Sequence, residues 1–87
     1  MSHQAAVILY ALSTCIHCRH TREFLEENQI DFECTYVDKL EGDAQKAVLE
    51  KVREVNPRIS FPTMIVGPQH VIVIGFNPEA IKEALGA

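Results

Sequence analysis

A nearly continuous apolar run from Ala6 to Leu12 (AVILYAL) opens the patterned part of this chain. The run is strand-length and rich in β-formers, and with apolar side chains at both parities it needs cover on both faces of a sheet. Layered architectures with helices above and below supply that cover. From Cys15 the pattern turns helical. Ser13 or Thr14 is expected to cap the start, Cys18, Arg22 and Leu25 fall on one side, and Asn28 with Gln29 marks the end. Asp31 to Val37 (DFECTYV) then alternates, with Phe32, Cys34 and Tyr36 on one face, and reads as a second strand.

Leu40, Ala44, Ala47, Val48, Val52 and Val55 recur at three- and four-residue steps, while Glu41, Gln45, Lys46, Glu50 and Arg53 are expected on the opposite side. That helix must stop at Asn56, because Pro57 disfavours a helical residue before it. Thr63 to Val66 and Val71 to Ile74, joined by Gly67 to His70, read as a hairpin. Asn77, Pro78 and Glu79 supply a cap, a first-turn proline and a first-turn acid for a last helix that ends at Gly86. The order is therefore βαβαββα. The right-handed crossover rule makes the first two strands parallel, and the hairpin adds two antiparallel ones. The expected fold is α/β, a four-stranded mixed sheet in a three-layer sandwich.

At 87 residues the chain makes one domain over residues 1–87, with Met1 to Gln4 as a loose tail. Its 47% hydrophobic and 23% charged composition is that of an ordinary globular domain. Eight Lys and Arg against 12 Asp and Glu leave a net charge of −4, so no basic field attracts phosphate backbones and nucleic acid is not an expected partner. No stretch approaches the roughly 20 apolar residues of a membrane span. The Ala6–Leu12 run lacks the basic flank and cleavage pattern of a signal peptide, so the expected location is the cytoplasm, without a membrane partner.

Three cysteines are too few for a disulfide scaffold, and two of them, Cys15 and Cys18, stand three apart where the first strand gives way to the first helix. Residues three apart on a helix lie one turn from each other, within reach of a reversible disulfide. Cys15 falls at the helix N-terminus, where unpaired N–H groups and the macrodipole favour a thiolate; Cys18 lies a turn deeper. These positions make Cys15 the attacking sulfur and Cys18 the resolving one. The alternative is a metal or iron–sulfur module using Cys15. Haem attachment would need His directly after Cys18, where Arg19 stands, and zinc would need further ligands from His17, His20 or Cys34, which do not repeat a ribbon or finger spacing. No metal site is expected.

Cys15-Ile16-His17-Cys18, Ser60-Phe61-Pro62-Thr63 and Ile74-Gly75-Phe76-Asn77-Pro78 occur in that order over about Val7 to Leu85, and together they resemble a glutaredoxin-type protein of the thioredoxin fold. The resemblance implies a cis Pro62 beside the cysteines that exposes the Phe61 backbone to an incoming peptide or to glutathione. It also implies a substrate surface of Phe61, Pro62, Thr63, Gly75, Phe76 and Asn77. An ordinary strand-start proline and a simple helix cap at Asn77-Pro78 are the competing explanations. Glutaredoxins usually carry Pro-Tyr between the cysteines, a Lys three residues before the first, and a small polar or acidic pair after the late glycine. Here those places hold Ile16-His17, Leu12 and Phe76-Asn77. The Gly75–Pro78 segment is instead similar to NrdH-type redoxins, carriers that draw electrons from thioredoxin reductase, although those have a shorter middle segment and tend to keep the Lys.

The reading that results is a monomeric thiol–disulfide oxidoreductase with no bound cofactor. It reduces protein or glutathione mixed disulfides through Cys15 and Cys18, and is restored by a flavoprotein reductase or by glutathione as co-substrate. His17 either tunes the Cys15 thiolate as an imidazolium or is a solvated loop residue. Arg19, His20 and Arg22 form a local positive patch suited to carboxylates. Cys34, on a face with Phe32 and Tyr36, is expected in the core.

Overall fold

A computed structural model describes residues 6–67 and 69–86. Met1 to Gln4, read as a tail, lie outside the described residues, as does Pro68 of the hairpin turn. The elements are β1 (Val7–Ala11), α1 (Ile16–Glu27), β2 (Glu33–Tyr36), a short 3-10 turn (Val37–Lys39), α2 (Gly42–Val55), β3 (Thr63–Val66), β4 (Val71–Ile74) and α3 (Pro78–Gly86). The sheet runs β2-β1-β3-β4. β1 and β2 are parallel from Ile8↔Glu33 to Ala11↔Tyr36, β1 and β3 antiparallel from Val7↔Val66 to Tyr10↔Thr63, and β3 and β4 antiparallel from Thr63↔Ile74 to Val66↔Val71.

The both-parity apolar pattern of β1 has the predicted outcome. Val7, Leu9 and Ala11 face one core with Cys18 and Leu25 of α1 and Ile81 and Ala84 of α3. Tyr10, with Ile8 beside it, faces a second core with Val37, Ile65 and Val52 of α2. Two helices therefore cover one face and one helix the other, giving the three-layer α/β sandwich in the expected order. No helix among the described residues is long and apolar enough to cross a membrane.

Several local expectations are corrected. β2 is shorter than Asp31–Val37, because its pairing with β1 begins at Glu33 and β1 ends opposite Tyr36; Val37 starts the 3-10 turn and drops into the second core. On α2 the inward face is rotated. Ala44 and Ala47 are exposed, whereas Gln45 is half-buried. Its side-chain amide donates to the carbonyls of Val37 (3.1 Å) and Leu40 (3.0 Å), the former also taking the turn's own bond from Leu40 N–H at 3.2 Å. The cap of α1 is neither Ser13 nor Thr14 but Cys15 itself, whose sulfur accepts the Cys18 N–H. Ser13 instead donates both its N–H and its hydroxyl to the Asp38 carboxylate, tying the β1–α1 loop to the turn after β2.

Candidate active site

Cys15 stands where β1 hands over to α1. Its N–H donates to the Leu12 carbonyl at 3.2 Å and its own carbonyl accepts from Arg19 N–H at 3.1 Å, so the residue is fixed from both sides. The Cys18 N–H points at Cys15 Sγ from 3.2 Å. An N–H aimed at sulfur becomes a charge-assisted bond when that sulfur ionises. One turn down, Cys18 is only 2% exposed, with the Leu12 N–H 3.5 Å from its sulfur. Burial, reinforced by the neighbouring Cys15, pushes the Cys18 thiol up to about 12. The pair is therefore asymmetric: Cys15 is half-buried at the surface, and Cys18 is sequestered and holds its proton.

The facing wall comes from the segment before β3. The Phe61–Pro62 peptide is cis. The Phe61 carbonyl lies 4.0 Å from Cys15 Sγ, and Pro62 is buried with its carbonyl accepting from Gly75 N–H at 2.9 Å. Gly75 adopts φ +81°, in the left-handed region that favours glycine. Cys15, Cys18, Phe61, Pro62 and Gly75 are thus brought together.

Other expected residues are placed differently. Thr63 is fully buried and its hydroxyl donates to Ser60 O at 2.7 Å, so its side chain braces the loop from behind. Asn77 caps α3, its Oδ1 accepting from Ala80 N–H at 3.1 Å, which favours the capping explanation. Phe76 is half-buried against α1, with ring centroids 5.7 Å from His20 and 6.2 Å from Phe24. It is packed on the helix rather than free beside the cysteines. His17 is exposed and its side chain makes no hydrogen bond or ion pair among the described residues. Cys34 is half-buried, packs against the first core, and burial pushes its thiol up.

Residues that sequence reasoning passed over complete the surroundings. Asn56, treated only as a helix stop, is 3% exposed, and its Nδ2 donates to Ser60 O (3.2 Å), Ser60 Oγ (3.0 Å) and Thr63 Oγ1 (3.0 Å). It thereby anchors the loop that carries Phe61. Its signal was available as a polar residue between an apolar helix face and a proline-rich loop, but polarity alone does not say which way the side chain turns. Tyr36 accepts a 2.7 Å bond from Arg22 Nη1 beside the site; the parallel register, which ends β2 level with the end of β1, could have located it. Among the described residues no group of three or more His, Cys, Asp or Glu side chains is placed to hold a metal ion.

This arrangement can be set against known proteins. A search of curated proteins returns no significant match. Among solved structures, a glutaredoxin from Archaeoglobus fulgidus is 42% identical, with 95% of this chain and 88% of that one covered at a TM-score of 0.88. Methanoredoxin from Methanosarcina acetivorans is 36% identical over 97% of this chain and 87% of its own, at a TM-score of 0.89. The NrdH-redoxin of Escherichia coli is similar at 26% identity, 90% and 92% coverage and a TM-score of 0.73. The glutaredoxin family model matches residues 7–71, a span that holds both cysteines, the cis proline and the strands that position them. With that match and these relatives, the chain belongs to the glutaredoxin family, and a thiol–disulfide redox role comes with it.

Proposed function

We propose that the protein is a dithiol oxidoreductase in which Cys15 and Cys18 pass between dithiol and disulfide as they reduce protein or glutathione mixed disulfides. The observation that carries this reading is the asymmetry of the pair: a surface sulfur bonded by an N–H and facing Phe61 O, above a buried thiol one turn away. Cys15 attacks a substrate disulfide; a Cys15–substrate bond forms and the leaving sulfur departs with the electron pair. Cys18 then gives up its proton and displaces the substrate sulfur from Cys15, closing the intramolecular disulfide. The backbone of Phe61 supplies an extended segment against which a substrate peptide lies.

Leu12 and Phe76-Asn77 stand where glutathione-using relatives carry polar contacts, and this favours a flavoprotein reductase of the thioredoxin reductase type as electron donor over glutathione. The NrdH-redoxin to which the chain is similar is described as glutaredoxin-like with a thioredoxin-like activity profile, in line with that choice. A monomer acting on disulfide-containing proteins in the cytoplasm, without a bound cofactor, completes the proposal.

The test is a dithiol/disulfide redox titration of metal-free protein, quenched by alkylation and mapped by mass spectrometry with Cys34 followed separately. Joint oxidation of Cys15 and Cys18 with a midpoint between about −270 and −180 mV is expected. A pair that forms no reversible disulfide, or whose thiols open only after a metal is stripped, would end the dithiol reading. Assays coupled to thioredoxin reductase and, separately, to glutathione with its reductase decide the donor.

A further inference from the structure

β1 and β2 run parallel, so the segments that leave their C-terminal ends lie side by side. The segment after β1, Leu12 to Cys15, leads into the cysteine pair, and the segment after β2 is the 3-10 turn Val37–Lys39. Asp38 joins the two. Its carboxylate accepts the Ser13 N–H on Oδ1 at 2.9 Å and the Ser13 hydroxyl on Oδ2. The hydroxyl first, and then the N–H, hold the Asp38 carboxyl below its ordinary value, so the group is ionised at neutral pH.

An exposed carboxylate on a loose loop would exchange such bonds with water, but the turn that carries Asp38 is fixed. Val37 is buried in the second core, Leu40 N–H closes on Val37 O at 3.2 Å, and the Gln45 amide donates to both Val37 O and Leu40 O. Asp38 is therefore presented to Ser13 from a backbone anchored on α2.

The effect reaches the sulfurs through one peptide unit. The N–H that Asp38 holds belongs to the Leu12–Ser13 peptide, and the carbonyl of that same unit accepts the Cys15 N–H at 3.2 Å. Because a peptide is planar, fixing the direction of its N–H also aims its C=O. A charged acceptor on the N–H further polarises the unit and strengthens the bond its carbonyl makes. On the other side of Leu12, its own N–H points at Cys18 Sγ from 3.5 Å. Burial and the neighbouring Cys15 push the Cys18 thiol up, and the Leu12 N–H works against both by favouring the thiolate.

We propose that Asp38 is a positioning residue for the cysteine pair: by clamping Ser13 it holds Leu12 with its carbonyl on Cys15 N–H and its N–H on Cys18 Sγ, and so speeds closure of the intramolecular disulfide. This inference rests on the dithiol reading and deepens its second step. In that step Cys18 gives up its proton to water, its thiolate attacks Cys15 Sγ, the Cys15–Cys18 bond forms, and the Cys15–substrate bond breaks as the substrate sulfur leaves with the electron pair. The Leu12 N–H stabilises the charge that Cys18 carries on the way. The first step, attack by Cys15, draws instead on the Cys18 N–H, which belongs to α1 and does not depend on Asp38.

The experiment is stopped-flow reduction of 2,2′-dithiodipyridine, a neutral disulfide whose approach does not respond to the Asp38 charge, by protein carrying Cys34→Ser. Attack by Cys15 releases one pyridine-2-thione in a phase that quickens with probe concentration, and closure by Cys18 releases a second in a phase that does not. In Asp38→Ala the closure rate is expected to fall about threefold to tenfold, the ratio to which one hydrogen bond converts, while the attack rate stays within about twofold of the parent protein. Asp38→Asn keeps an amide oxygen for the Ser13 N–H, and the Ser13 hydroxyl can turn to accept from its amide, so it is expected to restore most of the closure rate. An unchanged closure rate in Asp38→Ala would overturn the proposal. Equal slowing of both phases would also overturn it, by showing a loosened fold, as would equal slowing of closure in the Ala and Asn variants, which would assign the effect to charge alone. If the parent protein releases a single thione, or its second phase quickens with probe concentration, the dithiol reading itself ends and this inference with it.

Discussion

Cys15 and Cys18 differ by three positions in sequence and by nearly everything else in environment. Burial, with the neighbouring sulfur, holds the Cys18 thiol up to about 12, so between neutral pH and 9 it remains protonated while Cys15 stays accessible. Iodoacetamide at pH 8 is therefore expected to label Cys15 of the reduced protein well before Cys18, as peptide mapping would show. The same displacement has a stability consequence. Cys18's folded value lies above its ordinary value of 9.0, so its contribution is intact below pH 9 and is lost as pH rises from 9 towards 12. Tyr10 and Cys34, also pushed up mainly by burial, add to the alkaline loss. The difference between wild type and Cys18→Ala in urea melts at pH 8 and pH 10.5 isolates the Cys18 part, and wild type should lose more stability over that interval. The cysteine spacing was legible because helical geometry is local. The proton held by Cys18 was not, since it depends on Leu12, Cys15 and the core that closes over it.

At the scale of elements, the loop between α2 and β3 is held by side chains rather than by regular hydrogen bonding. Asn56 donates to Ser60 and Thr63, and Ile59 sits at φ +50°, an unfavourable place for a β-branched residue, with its N–H on Asn56 O at 2.8 Å. Asn56→Ala removes a buried donor from the Thr63 hydroxyl and from Ser60, at a cost of about 1–3 kcal/mol in urea unfolding. Because the loop carries Phe61, disulfide reduction should fall while the rate of Cys15 alkylation, which needs no loop, stays near wild type. Equal loss in both would mean general unfolding instead. Helices and strands were readable from apolar periodicity, and the boundary errors have one origin. Gln45 turned inward to carbonyls of the turn, Ser13 turned to Asp38, and Val37 left the strand because β1 ends opposite Tyr36; each depends on what an element junction brings together, which periodicity does not encode.

For the whole molecule, one thin sheet separates two small cores. Leu25 is fully buried on the α1 side, and its replacement by Ala should cost about 2–5 kcal/mol. That is a large part of the roughly 5–15 kcal/mol available to a domain of this size. Because β1 contributes to both cores, the variant is expected to melt in a single transition at lower temperature, with circular dichroism and Cys15 accessibility changing together. Two separated transitions would show that the cores are independent. The element order and the layering followed from patterning, whereas the order of strands in the sheet and the contact beside Cys15 between Tyr36 and Arg22, fourteen residues apart, appear only in the folded chain.

The sheet order also sets how long the reactive geometry lasts. Cys15 follows β1 and Phe61 precedes β3, and these are the two central strands, paired directly from Val7↔Val66 to Tyr10↔Thr63. Such strands exchange their amide hydrogens only when the molecule opens as a whole. The strand pairing that carries Cys15 and Phe61 towards each other is therefore expected to give way only when the fold itself opens.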